Sequence, residues 1–450
     1  MSEMPDESHI NDLLTFLKFP SISTQSEHAQ DMRACAEWLC GRLHRAGLAA
    51  RLEETGGHPS VVASTARDPA KKTVLIYGHY DVQPPEPLRE WMTPPFEPVI
   101  RDGRVFARGA TDNKGQILAH VLGVAGALAD HGELPVNVVF LIEGEEEIGS
   151  PNLAPLILRL RDELACDVVV ISDTGMVSHG HPTLTFSLRG IAALEFVVRG
   201  PSHDLHSGVF GGTVMNPAAA VARLVAGLHD ENGHVAIEGF YDDVRPMFDW
   251  EREASDALPV GDEDIRRLAG VTALFGEPGF SAIDRIGARP TAEVNGIGGG
   301  YQGEGTKTVL PREAMAKLTF RLVPHQKADH ILNLAEHHLR HHCPPGVTLE
   351  ISRGHSGPPY YTDPNSPFGH AARRALEKVF GQPAALLREG GSIPILGDFK
   401  DLLHAECLLL ALASPDCRAH APDENFPLEN FAAGIRLNRA VLEELAACRT

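Results

Sequence analysis

The sequence predicts an α/β protein whose main domain has a mostly parallel sheet flanked by helices, interrupted by an inserted α+β domain. Short, β-branched apolar runs alternate with amphipathic segments, the pattern of strands buried on both faces between covering helices. Several of those runs end abruptly in histidine or carboxylates, and ligands of open α/β sheets gather at the carboxyl ends of strands. The texture changes near Phe186 and returns after Ser366, which divides the chain into residues 1–185, 186–366 and 367–450.

Asn11 to Phe19 and Gln30 to Ala46 have helical apolar spacing, and Gly47 is a natural stop for the second. Thr73 to Tyr77 is a compact strand running into Gly78-His79-Tyr80-Asp81. Six prolines between Pro84 and Pro98 impose an irregular loop. Ile117, Val121, Val124, Ala125 and Leu128 mark a helix that ends near Gly132, so Asp112 sits just before its start, where aspartate commonly serves as an N-cap. Val136 to Ile142 is the next strand. It ends in Glu143-Gly144-Glu145-Glu146-Glu147, and adjacent carboxylates repel unless a cation lies among them. Val168 to Ile171 is another buried strand and leads to Ser172-Asp173.

In the middle segment Ile191 to Val198 and Leu318 to Val323 alternate as strands, Pro217 to Leu228 is helical, and Gly296 to Gly300 is one of the polar and glycine-rich segments that lie between them. The alternation puts Leu318, Phe320 and Leu322 on one face and Arg321 on the other. A guanidinium there can hold a carboxylate through two parallel hydrogen bonds. Beyond Ser366, His370 to Phe380 is helical, Glu389 to Pro394 is a tight loop, Cys407 to Leu412 is a strand with His420 shortly after it, and Ala432 to Ala447 is a covering helix.

Composition narrows the function. Forty basic and sixty acidic side chains give a formal charge of -20, which disfavours nucleic acid and anionic membranes as partners. No apolar run reaches membrane-spanning length and the N-terminus has no export pattern. The seven cysteines are scattered without a CxxC pair, as in a reducing, cytoplasmic setting.

His79, Asp112, Glu146, Glu147, Asp173 and His420 therefore collect two imidazoles and four carboxylates at one sheet edge. Mixed nitrogen and oxygen ligands without thiolates suit two divalent cations, zinc first, with manganese or cobalt as alternatives. Such a pair acidifies a shared water and polarises a carbonyl, provided one carboxylate stays free to take the proton. Spacing alone does not assign the roles of the adjacent glutamates. Asp81 is placed to hold the other ring nitrogen of His79.

His79-Tyr80-Asp81, the Arg108 to Gly115 run, Glu143 to Ser150 and Ser172-Asp173 resemble, in order, the motifs of the M20 metallopeptidase family, and most nearly its carnosinase-like cytosolic dipeptidases. The resemblance extends through Asp204 to Gly212, Lys307 to Arg312 and Phe320 to Pro324. It implies that Asp112 bridges the metals, with His79 and Asp173 completing one site and Glu147 and His420 the other. Glu146 would be the general base, and Glu145 an additional acid without a catalytic role. It also implies that the insert is a lid and dimer surface, with a homodimer in which His206 reaches the partner's site. Arg321, Thr308, His355 and Ser392 would hold the substrate's carboxylate end or nearby polar groups. The activity so implied is dipeptide hydrolysis. The same site could instead serve an N-acyl or N-carbamoyl amino acid amidohydrolase, or a catalytically silent metal- or peptide-binding protein, although a binding protein has no need of a free base.

Overall fold

The computed structural model describes residues 4–448. A nine-stranded sheet runs in the order Ala49–Glu53, Ser60–Ser64, Asn137–Glu143, Thr73–His79, Val168–Ile171, Glu406–Leu410, Thr183–Leu188, Tyr360–Tyr361, and Ala385–Glu389 also pairs with Thr183–Leu188. Its four central strands, from Asn137–Glu143 to Glu406–Leu410, are mutually parallel. The margins are antiparallel: Ser60–Ser64 runs against Asn137–Glu143, and Thr183–Leu188 against Glu406–Leu410. The α/β class stands, but the sheet is mixed, with its parallel character confined to the centre.

Alternation explains why the central strands are apolar throughout. Val74, Ile76, Val138, Phe140, Val168 and Val170 face a core shared with helices Glu7–Phe16, Ala29–Arg45, Lys114–His131, Pro367–Phe380 and Leu428–Ala447. Leu75, Tyr77, Val139, Leu141, Val169 and Ile171 face a second core with Leu153–Arg159 and Ile395–Leu403. A strand with period-two side chains between two helical layers has no polar face to offer.

The chain leaves this sheet after Leu188 and rejoins it at Tyr360, so Phe186 itself lies in a strand of the large sheet. Between them a four-stranded antiparallel sheet forms in the order Thr291–Gly299, Glu313–Leu322, Gly190–Arg199, Thr348–Gly357. Leu318, Phe320 and Leu322 point into a core closed by helices Pro217–Ala226 and Ala328–His342. The glycine-rich stretch corrects the sequence reading: Gly296, Gly298 and Gly299 pair with Lys317, Met315 and Ala314 in an edge strand. A strand at a sheet edge needs backbone partners on one side only, and a Cβ at Gly299 would lie 2.5 Å from that of Ala314.

All seven cysteines are unpaired. Among the described residues no helix is long and apolar enough to cross a membrane.

Candidate metal centre

The parallel strands deliver their carboxyl ends to one place. His79 is the last residue of its strand and lies opposite Glu143 in the register, while Asp173 follows two residues after Ile171. Asp112 does not cap the helix that follows it; Asn113 occupies the cap position and makes no side-chain cap bond. The Asp112 carboxylate lies between two imidazoles, with Oδ1 3.1 Å from His79 Nε2 and Oδ2 2.9 Å from His420 Nε2. His79 Nε2 is also 3.8 Å from Asp173 Oδ2, and His420 Nε2 is 3.3 Å from Glu147 Oε2. Ligand atoms of His79, Asp112 and Asp173 lie within 4.8 Å of one another, and so do those of Asp112, Glu147 and His420. The two triads share only Asp112.

These residues fit a pair of cations. His79 Nε2 and Glu147 Oε1 are buried atoms without a hydrogen-bond partner, and such atoms are rare unless an ion or water completes them. The other edges of the ligands are fixed by the chain. His79 Nδ1 lies 3.1 Å from the Asp81 carbonyl and 3.3 Å from its carboxylate. The Asp81 carboxylate accepts the backbone N–H groups of Glu146 and Glu147, at 3.2 and 3.1 Å. One residue thus orients an imidazole and anchors the acidic turn. Gln83 donates to Glu147 Oε2 at 2.8 Å, and Asn113 donates to Asp173 Oδ1 at 2.9 Å.

The electrostatics express a crowd of acids in a dry place. Burial pushes the Glu146 carboxyl well above the usual range; nearby His79 pulls it back, while Asp173, Glu147 and Asp112 push it further up. Burial likewise raises Asp173 to about 6. Burial alone would lower His79, but the Asp112, Asp173 and Asp81 carboxylates outweigh it and hold the imidazole well above its ordinary value. Hydrogen bonds to Asp112 and Glu147 raise His420 to about 10. Burial would lift Asp112, yet the two imidazoles bring it below the usual carboxylate range.

Glu145 faces elsewhere. Its buried carboxylate accepts from the His58 backbone at 3.2 Å and from Asn152 Nδ2 at 2.9 Å, tying the loop before strand Ser60–Ser64 to the acidic turn.

Glu424, which sequence reasoning missed, underlies the whole arrangement. It is fully buried and accepts Arg108 Nη1 at 2.7 Å and the backbone N–H groups of Gly109, Thr111 and Asp112 at 2.9, 2.9 and 3.0 Å. Four donors on one carboxylate fix the loop that aims Asp112. Asn425, next to it, pairs with Phe106 in a small three-stranded sheet, and its Nδ2 lies 3.2–3.3 Å from the carbonyls of Asp416, Cys417 and Asp423 in the His420 loop. Its immediate neighbours, Asp423 and Asn425, are polar, so no apolar run marks it out in the sequence.

The remaining candidates lie on the smaller sheet and its connections. Arg321 Nη1 donates to Ser392 Oγ at 2.8 Å, and Ser392 donates to the Arg189 carbonyl at 2.6 Å. Arg321 is half-buried and makes no ion pair among the described residues. Burial, then the neighbouring Arg321 charge, lowers Arg189 to about 10. His206 is exposed, pairs with Val309 in a short ribbon, and its Nδ1 accepts the Gly208 N–H at 2.9 Å. Thr308 is exposed and its carbonyl accepts the Ser207 N–H. His355 is exposed where strand Thr348–Gly357 bulges. The chain therefore joins Arg321 to Ser392 and places His206 beside Thr308. Among the described residues no hydrogen bond or ion pair links either group, or His355, to the triads.

A cleft of about 1020 Å³ opens over the centre, with Asp112, Asp173 and His420 on one wall and Leu268, Ile283 and Ile286 of the insert on the other. A few polar groups gathered on one side with apolar residues on the other are the usual lining of a small-molecule site.

Residues 75–444 match the model of peptidase family M20/M25/M40. The chain is 32% identical to the Cys-Gly metallodipeptidase dug1 of Schizosaccharomyces pombe over 96% of its length and 94% of that protein. It is 32% identical to the Homo sapiens Beta-Ala-His dipeptidase over 86% of its length and 78% of that protein. Among solved structures it is similar to the M20 family metallo-carboxypeptidase Sso-CP2 from Sulfolobus solfataricus, with a TM-score of 0.87 and 34% identity over 98% of this chain and 100% of that one. With two carboxylate-rich triads sharing Asp112 at the strand ends and a family match that spans most of its length, the chain belongs to peptidase family M20/M25/M40.

Proposed function

We propose that this protein is a metal-dependent dipeptidase that uses Glu146 as its general base. The carrying observation is the pair of triads hinged on Asp112, with the partly buried carboxylate of Glu146 adjacent to Glu147 and belonging to neither triad. His79, Asp112 and Asp173 would hold one divalent cation and Asp112, Glu147 and His420 the other, zinc first, with manganese or cobalt as alternatives. Cations held there would supply Lewis acidity, polarising a scissile carbonyl and acidifying an attacking water. Glu146 takes the proton from that water and returns it to the leaving nitrogen, a transfer favoured by a carboxyl that burial holds above its ordinary range. Asp81 keeps His79 in one tautomer and fixes the backbone of Glu146.

Arg321 is the proposed handle for the substrate. A half-buried guanidinium without a carboxylate of its own, held by Ser392 and facing Arg189, is an anion site. Binding the substrate's free C-terminal carboxylate there makes the enzyme an exopeptidase. Thr308 and His355 are assigned to the same end of the substrate. The segment between Leu188 and Tyr360 serves as the lid and dimer surface of a cytoplasmic homodimer, in which the exposed His206 is available to the partner's site. The relatives named as dipeptidases support this reading.

Rates on dipeptides and on their C-terminal amides test it. Dipeptides should be preferred, and Arg321→Lys should reduce that preference roughly 10- to 100-fold, the equivalent of the ~1.5–3 kcal/mol carried by a hydrogen bond to a charged group. Equal rates on acid and amide, with Arg321→Lys fully active, would refute the handle and favour an enzyme that reads its substrate from the acyl side.

A further inference from the structure

Helix Ala328–His342 ends in an unusual run, His337-His338-Leu339-Arg340-His341-His342, followed by Cys343. Its buried face, with Ile331, Leu332, Ala335, His338 and Leu339, packs on the four-stranded sheet. His338 is committed there, with Nε2 3.2 Å from the Gly227 carbonyl. His342 Nδ1 turns back to the His338 carbonyl at 2.9 Å. His337 and His341 are different. Both are exposed, and neither makes a hydrogen bond or ion pair among the described residues. They stand four residues apart on one stripe, with ring centroids 6.1 Å apart and planes inclined by only 10°.

We propose that His337 and His341 form a surface transition-metal site, separate from the catalytic triads. Residues i and i+4 of a helix place their Cβ atoms about 5–6 Å apart, close enough for two imidazoles to turn onto one cation, as in metal-binding helices that carry histidines at that spacing. The rings already lie side by side, so chelation needs only side-chain rotation. The carbonyls of the last helical turn add negative potential that favours a cation. The all-imidazole donor set selects nickel, copper or zinc over manganese or magnesium, whereas the carboxylate-rich catalytic centre is the more permissive of the two. A purely structural account has the histidines merely complementing the helix end. That account requires no chelation and makes the two residues independent of each other.

The test uses the untagged full-length chain with its catalytic sites already saturated with zinc. Equilibrium dialysis against Ni²⁺ should load an additional equivalent, and the protein should be retained on Ni²⁺–nitrilotriacetate resin, whose open coordination positions suit a histidine pair. His337→Gln and His341→Gln should each abolish the additional equivalent and the retention while leaving dipeptide turnover unchanged, and His342→Gln should keep both. Mn²⁺ should add no equivalent. Failure of the wild type to bind additional Ni²⁺, or its persistence in either His337→Gln or His341→Gln, overturns the proposal. Both positions are exposed and face no core, so loss of folding is readily told apart by the retained turnover.

Discussion

Replacing Glu424 with Gln should loosen the loop that aims Asp112 and weaken metal binding, without touching a single ligand. The carboxylate is fully buried and holds four donors: one oxygen accepts Arg108 and the Gly109 N–H, the other the Thr111 and Asp112 N–H groups. An amide of the same shape keeps one acceptor, but its NH₂ must face the other pair of donors. Two hydrogen bonds to a charged group are lost at ~1.5–3 kcal/mol each, and Arg108, only 1% exposed, is left without its counter-charge. Breaking a buried ion pair from one side typically costs about 3–5 kcal/mol. If that cost is expressed locally, the Thr111 and Asp112 amides should exchange hydrogen about 10²-fold faster or more, since each ~1.4 kcal/mol is tenfold. Because Asp112 belongs to both triads, both metals should be held more weakly. Hydrogen exchange and metal titration on one preparation of Glu424→Gln measure the two effects. Wild-type exchange at Thr111 and Asp112 with undiminished affinity would show that Glu424 does not set the position of Asp112.

Metal affinity should rise with pH. Asp112 and Glu147 hold His420 at about 10, so in the metal-free chain the imidazole is protonated at neutral pH and a cation must displace that proton. Titrations at pH 6 and pH 8 should show tighter binding at the higher pH with proton release, and pH-independent binding would refute the coupling. A separate acid dependence comes from His120, which burial lowers to about 3 from an ordinary 6.5. A base that stays neutral when folded but takes a proton when unfolded makes unfolding easier as pH falls from 6.5 toward 3, by up to about 1.4 kcal/mol per pH unit. His120→Leu should flatten the fall in denaturant midpoint across that window, and an unchanged slope would contradict the assignment.

The legible parts of this protein were those where chemistry and periodicity coincide. Runs such as Val74 to Tyr77 and Val138 to Ile142 had to be central strands because both their faces meet helices, and their ends then placed His79, Asp173 and the acidic turn together. His420 was reachable because it follows a buried strand closely. The antiparallel margins were not legible, since strand direction is set by connections, and Ser60–Ser64 or Thr183–Leu188 would be equally apolar in either direction. The Gly296 to Gly299 strand was hidden because its pairing is made by the backbone, which glycine supplies as well as any residue and without a side-chain pattern. Glu424 was hidden for a similar reason: three of its four donors are backbone N–H groups more than 300 positions away in sequence, and no residue pattern advertises them.

The measurement that bears most directly on the account is metal content and dipeptide turnover on one preparation of Glu146→Gln. Glu146 belongs to neither ligand triad, and glutamine preserves its shape, so both metals should remain bound while turnover falls by at least the ~10²–10⁴-fold that a general base contributes. Turnover within about tenfold of wild type, below that range, would contradict its role as the base. Loss of a metal would instead make Glu146 a ligand and transfer the proton-taking role to a neighbour.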